Sequence, residues 1–241
     1  MTKLTEESFS AIKGELQDGR LTMSGMRVYL IGLFFLSGIF IGASLMVANA
    51  NTIGWDTLST GWHRIYCVEA ILFGFHFFIL LFCWWNNAFC QKVLSVGMVL
   101  FTYKAAFDPY LALLMFSKDK GMYDLYVPFI LVVLVSGILL HIILLIKWLK
   151  SLKEKKDEAG KSSTKKDSKY LVIFPVIFLL TTLTSIVIRN GLLGDYSLLF
   201  GALIITALYL GLLIGVCEFI IAAYCVFRYP SFSVKNLKSE K

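Results

Sequence analysis

No H-E-x-x-H, G-x-S-x-G or P-loop pattern occurs in this chain of 241 residues. Zincin-type hydrolysis, serine-nucleophile chemistry and nucleotide hydrolysis by a recognised route are therefore not expected, and the chain does not read as an enzyme. Cysteine is sparse, at positions 67, 83, 90, 217 and 225, and no two form a C-x-x-C pair. That excludes a thiol-oxidoreductase or zinc signature and leaves buried free thiols as the expectation. Histidine is rarer still, with only His63, His76 and His141. His63 and His76 lie 13 apart, a spacing similar to that of paired axial ligands in b-type cytochromes. A second such pair would need a fourth histidine, so no haem, other cofactor or metal is expected. Short alternating strands of the outer-membrane barrel type are also lacking.

What the chain does have is long apolar runs. Hydrophobic residues make up 58% of it, with a mean hydropathy of +0.75. A soluble domain is nearer half apolar. Six blocks are long enough to cross the hydrocarbon core as helices: 28–49, 64–85, 93–116, 125–147, 170–189 and 198–226. The expected fold is all-α, a polytopic membrane bundle of six helices. It divides into an N-terminal segment 1–26, helices one to four in 27–149, a flexible basic loop 150–169, helices five and six in 170–227, and a tail 228–241.

Charge sets the threading. Lys3, Lys13, Arg20, Arg27 and Lys92 would share one side with nine lysines from Lys147 to Lys169 and with Arg228, Lys235, Lys238 and Lys241. Only Arg64, Lys118, Lys120 and Arg189 fall on the other. Basic loops stay inside, which predicts both termini in the cytoplasm and a location in the cytoplasmic (plasma) membrane. The segment Lys147–Lys169 has no aromatic interleaving beyond Trp148. It reads as a solvated loop touching anionic lipid headgroups, not as a nucleic-acid site. A partner subunit or a homo-oligomer is compatible with this layout.

Ionisable residues inside apolar spans are functional candidates by default. Span two carries Glu69 and His76, span three Lys104 and Asp108, span four His141 and span six Glu218. Spans two and three are joined by a short turn and should be antiparallel neighbours. At about 1.5 Å per residue, His76 falls level with Lys104, and Glu69 about one turn from Asp108. Glu69 and His76 share a helix face, as do Lys104 and Asp108. A polar cluster of Glu69, His76, Lys104 and Asp108 follows. It is either a clasp neutralising its own charges or a polar site in a substrate or proton path. Pro109 would kink span three, or break it and open Asp108 to water. His141 and Glu218 are secondary candidates, the latter snorkelling or pairing with another helix.

Smaller signals complete the reading. Gly38 and Gly42, and Gly211 and Gly215, form G-x-x-x-G pairs that predict close helix packing. Phe9, Ile12 and Leu16 make one face of a short amphipathic helix, expected on the membrane surface or against the basic loop. The A-x-A pattern in LMVANAN follows too long an apolar run, after too long a polar start, for a cleaved leader, so span one is expected to be retained.

Two function classes remain. One is a small permease, or the membrane subunit of a transport system whose ATPase is another chain. Six spans, an N-terminal surface helix and a mid-membrane polar cluster are similar in size and layout to ABC-2-type permease subunits, including those giving self-protection against antimicrobial peptides. No motif carries that likeness. The other class is a non-enzymatic interaction protein, such as an immunity, regulatory or assembly factor, whose intramembrane charges are structural.

Overall fold

The computed structural model describes residues 6–50, 53–157 and 196–234. The described residues are helical with no strand. A short helix α1 (Ser10–Gln17) precedes five long ones: α2 (Met23–Ala48), α3 (Thr60–Phe82), α4 (Ala88–Asp119), α5 (Tyr123–Asp157) and α6 (Tyr196–Arg228). All five are long and apolar enough to cross a membrane, the pattern of a multi-pass membrane protein. The expected span 170–189 lies outside the described residues.

Local chemistry sets the helix ends. The Thr22 hydroxyl accepts from the Gly25 amide (3.2 Å) and starts α2. Asn87 does the same for α4 through the Cys90 amide (2.7 Å). These side chains satisfy amides that a first helical turn leaves unpaired. Arg27 donates to the Cys83 carbonyl (3.0 Å) and to Asn86 (2.8 Å), holding the turn that closes α3. Gly121, with φ of 67°, ends α4 in a conformation that few other residues adopt.

Contacts give the directions. Along α2 and α4, Tyr29 meets Thr102 and Ser44 meets the Leu111 carbonyl, so these two helices are parallel. Phe34 against Phe73 and Ser44 against Tyr66 make α3 antiparallel to α2. Tyr209 donates to the Leu134 carbonyl, and His141 meets the Leu213 carbonyl, so α5 and α6 are parallel. The basal end of the bundle thus carries the start of α2 and the end of α6. The distal end carries Trp55, Trp62 and the α4–α5 turn.

Helix α4 is the core element. Of its most apolar stretch, 61% is buried within the protein, against 17% for α3. It runs unbroken through Pro109, and Asp108 is buried instead of opening to water. Proline's fixed φ suits a helix, while it removes one backbone donor and crowds the carbonyl four residues back. Helix α5 continues to Asp157, so residues 150–157 of the expected loop are helical, and 158–169 lie outside the described residues.

The N-terminal segment covers the basal end. Phe9, Ile12 and Leu16 are buried in one cluster with Leu94, Leu152, Val226 and Phe232. Phe9 packs on Tyr224 and Tyr229. The amphipathic face foreseen in the sequence is therefore spent on the protein itself, on α6, the tail and Leu152 of the basic stretch, so of its two expected placements the packing against the basic segment is the one seen.

Glycine packing also departs from expectation. A Cβ on Gly42, Gly211 or Gly215 would meet nothing within 4 Å, and one on Gly38 would touch only the edge of Phe73. The tight approach is at Gly137, where a Cβ would lie 2.2 Å from the Tyr209 ring. The spacing rule identifies small residues that permit contact, but here α5 uses a lone glycine.

Candidate functional site

Lys104 is the centre of the polar cluster. Its Nζ lies 2.8 Å from Asp108 Oδ2, one turn along α4. It donates at 2.8 Å to Ser37 Oγ on α2, and Ser37 in turn donates to Asp108 Oδ2. Glu69 Oε2 on α3 approaches Lys104 Nζ to 2.6 Å. That approach is an ion pair without hydrogen-bond alignment, because Glu69 Oε2 lacks a hydrogen-bond partner. Three helices therefore meet at one ammonium.

The helix period explains the convergence. Lys104 and Asp108 stand one above the other at i and i+4. Parallel α2 presents Ser37 beside them, and antiparallel α3 brings Glu69 from the distal side. Burying an ion costs several kcal/mol, about, unless an opposite charge and hydrogen bonds offset it. Lys104 receives both. Asp108 Oδ1 stays buried with no hydrogen-bond partner, and two carboxylates face one ammonium.

His76 belongs to another environment. Its ring stacks on Phe101 at 3.8 Å and 9° and meets Phe34 edge-on. Phe101 is one turn basal of Lys104, so His76 sits one turn below the level expected from the sequence. Helix α3 begins at Thr60 and α4 ends at Asp119, and each extends beyond its expected apolar block towards the distal end. Those extensions, four and three residues, nearly cancel, so the one-turn offset comes from the way the two helices pack, and Glu69 reaches Lys104 instead of neighbouring Asp108. His76 Nε2 is buried without a hydrogen-bond partner.

His141 takes part in a second polar group on the opposite side of α4. Its Nδ1 lies 2.8 Å from the Leu213 carbonyl, so Nδ1 carries the proton. Its Nε2 then accepts from the Tyr103 hydroxyl at 2.6 Å. Cys217 Sγ lies 3.3 Å from Nδ1. Glu218 accepts from Arg20 at the basal end and has no contact with the Lys104 cluster. The carboxylate holds that guanidinium charged, raising its pKa.

Ser37 is the residue that charge-based reading misses. A serine within an apolar helix is too common to single out by type. Its only sequence signal is a hydroxyl inside a span otherwise free of polar side chains from Val28 to Gly42, apart from Tyr29.

A groove leads to the cluster. It holds about 550 Å³ between α2 and α3, with Trp55 and His63 at its distal end and Glu69, Ala70 and Phe73 deeper. Gly38, Ile41, Gly42 and Leu45 form the α2 wall. Glu69 is the one member of the ion cluster that lines it. Its side chain is 18% exposed, against 4% for Lys104 and 1% for Asp108. No group of three or more His, Cys, Asp or Glu side chains is arranged to hold a metal among the described residues. No family model, curated protein or solved structure matches the chain.

Proposed function

We propose that the chain is a small permease or the membrane subunit of a transport system with its ATPase on another chain. In this reading Glu69, Lys104, Asp108 and Ser37 form part of the substrate or proton path. One observation carries it: the groove ends on a carboxylate that is ion-paired with the buried lysine. A cluster serving only to hold helices together gains nothing from facing one of its charges to an open cavity.

Topology supports the six-span arrangement. Helices α5 and α6 are parallel, so the chain between them has to return from the basal to the distal end. The apolar stretch 170–189 is long enough to do so. Arg20, Arg27, Lys92 and Arg228 belong to the basal end, which we assign to the cytoplasm. The assigned location is the plasma membrane, with Lys147–Lys169 against anionic headgroups.

The test is purification in mild detergent. A stoichiometric ATPase chain co-purifying with this protein supports a transporter subunit; a chain that transports nothing in liposomes and brings down no ATPase refutes it. The interaction-protein reading draws on the bonds among Ser37, Lys104 and Asp108, which suit a clasp. Lys104→Met with Asp108→Leu separates the two. If the cluster is a clasp, the double variant complements a deletion strain. If it is a path, the double variant folds and fails to complement.

A further inference from the structure

We propose that the groove between α2 and α3 binds a primary ammonium group carried on an apolar body, with Glu69 as its counter-charge. This deepens the transport reading and rests on the cluster being a working site. The argument begins with the protons of Lys104. Two of its three donors are used in hydrogen bonds, to Asp108 Oδ2 and to Ser37 Oγ, both at 2.8 Å. Its 2.6 Å contact with Glu69 is a charge contact only. Without Glu69, Lys104 would still be neutralised and hydrogen-bonded. Glu69 is thus the surplus acid of the cluster, and it is also the one that faces the groove.

The rest of the groove selects what can meet that acid. Ile41, Leu45, Tyr66 and Phe73 give it apolar walls, and no lysine or arginine lines it. Space for a ligand exists because Gly42 has no side chain and its Cβ position meets nothing within 4 Å. A volume of about 550 Å³ lies within the range of about 300–1,000 Å³ typical of small-molecule sites. An anion would be repelled by Glu69, and a neutral molecule would gain no ion pair. An inorganic cation such as calcium or magnesium needs about six or more oxygen ligands, which one carboxylate in an apolar groove does not supply. An organic ammonium needs one acid and an apolar enclosure, and both are present.

Cys67 provides the readout. It lines the groove and is exposed, whereas Cys83, Cys90, Cys217 and Cys225 are buried. The full chain in phosphatidylcholine nanodiscs is labelled with a neutral maleimide in the presence of dodecylammonium, dodecanol or dodecyl sulfate. Dodecylammonium is expected to slow Cys67 labelling several-fold and saturably, while the other two leave it unchanged. Glu69→Gln should abolish the protection. Gly42→Leu, which fills the groove from the α2 wall, should abolish it too and keeps the test decisive if Glu69→Gln does not purify. No protection by dodecylammonium, equal protection by dodecanol, or protection retained in either variant overturns the proposal. An ATPase partner without amine protection removes this substrate class and leaves the transport reading. Amine protection with neither an ATPase partner nor transport does the reverse.

Discussion

At the scale of single residues, the members of the ion cluster carry unequal weight. Lys104→Met leaves Asp108 and Glu69 without their cation, and breaking a buried pair in this way costs about 3–5 kcal/mol. Glu69→Gln leaves the bonds among Lys104, Asp108 and Ser37 in place and should cost much less. Thermal unfolding read with a thiol-reactive dye checks both, because the buried thiols Cys83, Cys90, Cys217 and Cys225 become reactive as the bundle opens. A Glu69→Gln protein as unstable as Lys104→Met would contradict this ranking. The Lys104–Asp108 pair was legible from its spacing of four within an apolar run. Glu69 was legible from depth alone. His76 was misplaced by one turn because matching depth from the helix ends does not fix how two helices pack, and here the ring of Phe101 takes the imidazole. Ser37 was illegible because nothing in its residue type separates a bonded serine from an idle one.

At the scale of helices, contact at the α5–α6 crossing depends on the missing side chain of Gly137, whose place the Tyr209 ring takes. Gly137→Ala drives a Cβ into the Tyr209 ring, and overpacking of this kind costs about 1–3 kcal/mol. Gly211→Ala and Gly215→Ala meet open space and should be neutral, within about 0.5 kcal/mol. The same unfolding measurement separates them, and equal destabilisation by all three would count against the assigned crossing. The length of the apolar runs made the five long helices legible. The partner of each helix was legible only for α3 and α4, where a short turn forces adjacency. The parallel pairing of α5 with α6, and the packing of α1 on the tail, depend on contacts between distant residues that no local pattern encodes.

At the scale of the whole molecule, the chain's two described ends are tied together at the basal face. Arg20 reaches Glu218, Ser231 donates to Glu6, and Gln91 Nε2 donates to the Phe232 carbonyl at 2.9 Å. Gln91 Oε1 also accepts from the Val234 amide at 2.7 Å. Arg20→Ala strands a buried carboxylate, which costs about 1–3 kcal/mol. Removing residues 1–22 should cost more, because the cluster around Phe9 goes with it. Limited proteolysis of the tail checks this, with faster cleavage after Phe232 expected in the truncated protein. Unchanged cleavage would mean that the N-terminal segment does not protect the tail. Across the bundle, neighbouring residues of α4 serve opposite sides. Tyr103 bonds His141 towards α5 and α6, while Lys104 bonds Ser37 and Glu69 towards α2 and α3. Successive residues on a helix point about 100° apart, so both sets of bonds fix the same rotational setting of α4. The helix behaves as an axle keyed at one level to both halves of the bundle. A roll of α4 large enough to break the Lys104–Ser37 bond breaks the Tyr103–His141 bond as well.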